Sequence, residues 1–157
     1  MIPLGRVSIR GERGEDRMTR LTKDEQYSLM TLFAIFKSPL MFGGDLPSND
    51  DFTLSLLTNK EVLRMHRGST DVRELFNEDG KVAIVSKDPE DGGMYLGVFN
   101  ISDNPEPTEI SVDMTAFGFI SNCTLVNLWT GEDSGKISGW FKVTLAPHAC
   151  GLYKVIH

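Results

Sequence analysis

The stretch Ser38-Pro39-Leu40-Met41-Phe42-Gly43-Gly44-Asp45-Leu46 decides how the first part of this chain is read. Pro39 to Phe42 are apolar without alternation and are closed by a glycine pair. A short unbroken apolar run bounded by turn residues reads as a strand buried on both faces, the kind found in parallel sheets. Asp45, just past the glycines, would then stand at the C-terminal end of that strand, where α/β proteins build their sites. The commoner role of an Asp after Gly is to receive backbone N–H bonds in a tight loop, and that role is expected here.

Upstream, Thr22-Lys23-Asp24-Glu25 is a capping box, with Asp24 and Glu25 at the positive end of the helix dipole. Leu29, Leu32, Phe33 and Phe36 follow at helical spacing, and Met30 and Ala34 widen their face, so this helix needs burial on more than one side. Ser38-Pro39 ends it, because the residue before proline is pushed out of the α region. Downstream, a second helix starts near Ser48-Asn49, with Asp50 and Asp51 in its first turn and Phe52, Leu54, Leu56 and Leu57 as its apolar side. Thr58 to Glu61 forms another capping box before a short helix carrying Val62, Leu63 and Met65. Helix, strand, helix is a piece of an α/β architecture. One short strand is not a sheet, so its partner strands are expected outside this chain.

Before the first helix, Gly5 to Arg20 carries five arginines and three glycines without a hydrophobic period, and reads as a loop. Its arginines could grip an anionic ligand. Glu12, Glu15 and Asp16 lie among them, and pairing within the loop is expected instead.

From about residue 80 the pattern changes. Residues 81–87, 94–100, 108–114, 123–129, 140–145 and 150–156 each read as strands separated by turn residues, with Ile110, Val112 and Met114 on one face. Six such strands predict an antiparallel sandwich. The chain is therefore expected to be α+β: the end of an α/β unit over residues 1–66, then a β-sandwich over 67–157.

Bulk properties set the remaining bounds. A net charge of −6 argues against a nucleic-acid partner, which needs clustered Lys and Arg. No run approaches the ~20 apolar residues of a membrane span, so no membrane partner is expected. Residues 1–6 lack the apolar core of a secretory leader. Cys123 and Cys150 are too few for a disulfide framework, and two buried or half-buried thiols are expected, with a single bridge left open. His66, His148 and His157 have no second ligand at metal spacing, so neither metal nor cofactor is expected. Tyr95, Trp129, Trp140 and Tyr153 could stack on a sugar if exposed in a row, but core packing is the expected role of each.

The residues also carry a resemblance. Leu32-Phe33-Ala34-Ile35 with Ser38 to Leu46, Leu56-Leu57-Thr58-Asn59-Lys60-Glu61-Val62, Asn127-Leu128-Trp129-Thr130-Gly131 and Pro147-His148 together resemble the last barrel units and C-terminal domain of glycoside hydrolase family 27. That family comprises the α-galactosidases and α-N-acetylgalactosaminidases. The SPLMFGGDL run is the most specific of these; Phe33 stands where the family often has Trp. The resemblance implies the end of a (β/α)8 barrel, with a helix over about 22–37, a strand at 39–42 and a helix over about 49–57, followed by an antiparallel β-sandwich. It implies a retaining hydrolase whose two catalytic aspartates lie upstream of Met1, in a parent that is secreted or periplasmic. No catalytic residue is then expected in this chain, which by itself should be inactive. An α-galactoside or related glycan would be the partner of the intact enzyme. Met1 matches a family methionine that packs near the sugar, and Asp45 matches a position supporting the strand end, so both are candidate substrate-binding residues. Self-association through exposed barrel-facing helices is expected. The alternative is a stand-alone sandwich that binds carbohydrate or protein without catalysis.

Overall fold

The computed structural model describes residues 1–11, 14–118 and 122–156. In chain order the elements are β1 (Arg6–Val7), β2 (Arg17–Met18), α1 (Lys23–Ile35), a 3-10 turn (Leu46–Ser48), α2 (Asp51–Leu57) and α3 (Lys60–Gly68). Then come β3 (Thr70–Glu78), β4 (Lys81–Lys87), β5 (Met94–Asn100), β6 (Thr108–Asp113), β7 (Cys123–Asn127), β8 (Asp133–Ile137), β9 (Trp140–Leu145) and β10 (Cys150–Ile156).

The capping box forms as read: Thr22 Oγ1 accepts from the Glu25 N–H, and Glu25 Oε2 accepts from the Thr22 N–H at 2.7 Å. Such a cap contributes about 1 kcal/mol. The helix it starts is buried on two sides, but the deepest residues are Met30, Thr31, Ala34 and Ile35, while Leu29, Leu32 and Phe33 are half-buried and Phe36 is exposed. At the third helix the cap is one residue later than expected. Asn59 Oδ1 takes the Val62 N–H at 3.0 Å and its amide also donates to the Leu128 carbonyl, whereas the Thr58 hydroxyl turns back to Leu54.

The predicted strand at 39–42 is reduced to a single parallel bridge, Phe42 to Ile2. It is not a buried strand, since Met41 is 60% exposed and Leu40 and Phe42 are half-buried. One partner does lie inside the chain, which corrects the expectation that all were outside it. The N-terminal segment was not read as a strand because it is short and ends in the glycine- and arginine-rich loop. Ile2 and Leu4 are fully buried, and α1 is the crossover that joins the two parallel segments.

The C-terminal part is an antiparallel sandwich. A six-stranded sheet runs β3-β4-β5-β10-β7-β8, and β6 and β9 pair as a second, two-stranded sheet. Two strands went unread, β3 and β8. Both are edge strands, polar and exposed, and β3 carries two register shifts. Edges are commonly protected by charge and bulges, which erases the alternation that marks a strand.

β4 and β5 carry unbroken apolar runs, Val82 to Val85 and Met94 to Phe99, because they are covered on both faces. Ala83, Val85, Leu96, Val98 and Val155 pack toward Ile110, Val112 and Phe141 of the smaller sheet and Met114 in the 3-10 turn just after β6. Val82, Ile84, Tyr95, Phe99 and Leu152 pack on the other side against Ala34 and Ile35 of α1 and Val62 and Met65 of α3. Each such fully buried aliphatic side chain contributes about 1.5–3 kcal/mol. The helices are thus a third layer over the sandwich. A further cluster of Ile2, Leu4, Met30 and Leu56 joins α1, α2 and the parallel segments.

Candidate functional site

The two parallel segments run side by side from Ile2 to Arg6 and from Met41 to Asp45. The Ile2 N–H donates to the Met41 carbonyl at 2.7 Å, Gly43 to Ile2 at 2.9 Å and Asp45 to Arg6 at 2.8 Å. A Cβ on Gly44 would fall 2.3 Å from the Leu4 carbonyl oxygen, so only glycine permits this approach. Beyond the C-terminal ends of both segments lies a polar recess of 240 Å³, lined by Arg6, Ser8, Ile9, Arg10, Gly43, Gly44 and Asp45.

Asp45 is brought to the recess, and its carboxylate is committed to the loop. Oδ2 accepts from the Ser48 N–H at 3.1 Å and the Ser48 hydroxyl at 2.6 Å, capping the 3-10 turn. Met1 is 76% exposed. Its Cβ lies against Gly43, but it does not line the recess.

The segment read as a loop, residues 5–20, makes a two-rung hairpin pairing Arg6 with Met18 and Val7 with Arg17. This hairpin forms one wall of the recess. Arg6 and Asp16 hold each other through a bidentate pair, with Nε to Oδ1 at 2.8 Å and a second, shorter bond to Oδ2. The hydrogen bond, then the charge of the partner, raises the Arg6 guanidinium and lowers the Asp16 carboxyl from their ordinary values. Pairing within the hairpin is therefore seen for Arg6, and its Glu12 and Arg13 lie outside the described residues. The sequence weighs the arginines only as a group; Arg6 stands out because the fold places it at the end of the parallel segment, where the Asp45 N–H donates to its carbonyl. The recess offers guanidinium groups and occupied carboxylates, a surface that can orient a ligand. Among the described residues no cluster of three or more His, Cys, Asp or Glu is placed to hold a metal ion.

The aromatic residues divide. Tyr95 and Tyr153 are buried, and Trp129 packs edge-on to Tyr27 and donates through Nε1 to Thr31 Oγ1 at 2.9 Å. Trp140 departs from the expected core role: it is 58% exposed on the outer face of β9. The alternation of β9 puts Phe141, Val143 and Leu145 inward, so Trp140 shares the outer face with Lys142 and Thr144. Both thiols are free, and burial pushes Cys150 up to about 11.

A parallel pair with a crossover helix, a recess at its C-terminal ends and an antiparallel sandwich behind it define a class, the sandwich-bearing end of a β/α barrel. Residues 79–155 match the family described as the α-galactosidase C-terminal β-sandwich domain. The whole chain superposes with a TM-score of 0.93 on the family 27 β-L-arabinopyranosidase from Geobacillus stearothermophilus, at 42% identity and over 36% of that chain. α-Galactosidase 3 of Arabidopsis thaliana is 25% identical over 85% of this chain and 32% of its own length. The fold is shared with the α-galactosidase of Saccharomyces cerevisiae solved with raffinose, at 13% identity, with a TM-score of 0.73 over 87% of this chain and 44% of that one. The chain corresponds to the C-terminal portion of glycoside hydrolase family 27 proteins. It spans about a quarter to a third of the length of the curated relatives it matches.

Proposed function

We propose that this chain supplies the closing end of the catalytic barrel, and the sandwich that supports it, in a retaining hydrolase of α-galactosides or closely related pyranosides, and that by itself it turns over no glycoside. The observation that carries this reading is the parallel pair at Ile2 and Phe42, whose C-terminal ends open into the recess. Retention requires a nucleophile and an acid/base about 5 Å apart. Asp45 is held by Ser48 and Asp16 by Arg6, so neither carboxylate of this corner is free for that work. Residues 1–66 belong to the barrel in this reading and 67–157 to the sandwich domain. Asp45 shapes the loop that borders the sugar, and Met1 flanks it.

The substrate class draws on the relatives. An α-D-galactopyranoside and a β-L-arabinopyranoside share ring and anomeric arrangement and differ by the exocyclic hydroxymethyl group, so one pocket architecture serves both. The test is release of nitrophenol from the two chromogenic glycosides by the purified chain, beside Asp45→Asn. No release above buffer by either protein is expected. Turnover by the chain that disappears in Asp45→Asn would overturn the proposal.

A second reading, a sandwich that binds glycan without catalysis, rests on exposed Trp140. It predicts that galactose changes tryptophan fluorescence in the chain and not in Trp140→Ala.

A further inference from the structure

The turn Ala146-Pro147-His148-Ala149 holds a histidine in an unusual backbone conformation. His148 has a left-handed backbone, φ +61°. A non-glycine residue is held in that region only when its surroundings fix it. The surroundings here are two separate elements. From α1, the Ser28 hydroxyl donates to the His148 carbonyl at 2.6 Å. Glu25 Oε1 faces the ring Nδ1 at 3.3 Å, while its other oxygen closes the capping box. From the loop after β5, Asp103 Oδ1 faces Nε2 at 3.0 Å. Beneath the ring, between α1 and the end of β5, is a cleft of 280 Å³ with Leu29, Leu32, Phe99 and Ile101 among its walls.

A neutral imidazole has one N–H and one lone pair, so it can donate to only one carboxylate. Both ring nitrogens here face carboxylate oxygens, and only the imidazolium satisfies both. We propose that His148 is a proton-operated clasp: as the imidazolium it ties the start of α1 and the 101–104 loop to the sandwich across this cleft, and on losing its proton to solvent it lets them go. Release begins at Asp103, which is almost wholly exposed and has no other partner among the described residues. Glu25 keeps its bond to Thr22, but its contact with the ring falls from a charge-assisted to a neutral one.

The ionisable groups facing the ring are Glu25 from α1 and Asp103 from the loop. Asp24, also on α1, bears on Cys150 in the next strand, whose thiol burial keeps protonated. Hydrogen bonds to Glu25, then to Asp103, raise the His148 pKa and supply the direction of the effect. A raised value means that the stabilisation is complete below the unfolded value of about 6.5 and is lost as pH rises through the folded value.

The experiment follows the His148 ring by NMR through a pH titration and measures amide protection factors, corrected for intrinsic exchange, at residues 22–28 and 101–104. A fall of about two- to fivefold in protection, with the midpoint of the ring titration, is expected for two exposed contacts of this kind. Glu25→Gln preserves the capping box, since Gln serves as well at that position. Combined with Asp103→Asn it should return the ring to an ordinary titration and abolish the pH step while α1 stays folded. A ring that titrates at the unperturbed value, or a step that persists unchanged in the double variant, would overturn the clasp.

Discussion

Gly44 shows how a single residue holds the parallel pair together. Its Cα hydrogen stands where a methyl group would collide with the Leu4 carbonyl and the Phe42 ring. Backbone cannot yield cheaply, so Gly44→Ala should lower stability by about 2–3 kcal/mol. Gly68, at the end of α3, has nothing within 4 Å of the equivalent point. Gly68→Ala should be neutral or stabilise by about 0.5 kcal/mol through the unfolded chain. Chemical denaturation of both variants checks the contrast, and equal effects would refute it. At this scale the sequence was readable wherever a residue acts on its neighbours. Thr22 with Glu25 is a local motif and forms as read. Asp45 was expected to accept backbone N–H bonds in a tight loop, and it does so from Ser48, three residues on; the contact of Met1 with Gly43 came only with the fold. Trp140 was given a core role because it is aromatic, although the alternation of Phe141, Val143 and Leu145 already placed it on the opposite, solvent face.

Among elements, α3 and the central strands are joined by charge as well as by apolar contact. The Asp88 carboxylate is buried and accepts from Lys154 Nζ, from the Tyr95 hydroxyl at 2.6 Å and from Arg64 at 2.9 Å. Burial alone would raise its pKa. The bonds from Lys154 and Tyr95, the Glu90 N–H and the Lys154 charge outweigh it and hold the group at about 2. A carboxyl depressed in the folded state contributes stability above its unfolded value of about 3.9. That contribution should be lost as pH falls from about 4 to about 2. Asp88→Ala removes this step and leaves Lys154 with Asp91 alone in a buried site, at a cost of about 3 kcal/mol at neutral pH. Urea unfolding at pH 7 and pH 3 measures both. An Asp88→Ala chain as stable as the parent at pH 7 would show the network to be ornamental. The sequence shows no sign of this cluster, because Arg64, the Asp88–Tyr95 hairpin and Lys154 come from distant parts of the chain. It concealed β3 and β8 for a different reason: the pattern of an edge strand follows solvent rather than core.

For the molecule as a whole, several apolar side chains of the N-terminal part remain uncovered: Met1, Phe36, Met41 and Leu46 are all exposed. Under the proposed reading this surface meets the rest of the barrel, and in the chain by itself it should drive association. Size-exclusion chromatography at rising concentration should show growing species, and Met41→Ser with Leu46→Ser should reduce them. A compact monomer at every concentration would count against the assignment of that face.

The sequence by itself determined the three helices, the cap of α1, the central strands of the sandwich, the turn from helical to strand periodicity near residue 80 and the α+β class. These depend on local propensity and on which face of an element is apolar, and both are written in neighbouring residues. Only the tertiary structure decided that the N-terminal segment pairs with Phe42, that α1 and α3 roof the six-stranded sheet, and that His148 meets Glu25 and Asp103. Each of those contacts joins residues tens of positions apart. Its energy depends on a distance that no local pattern contains.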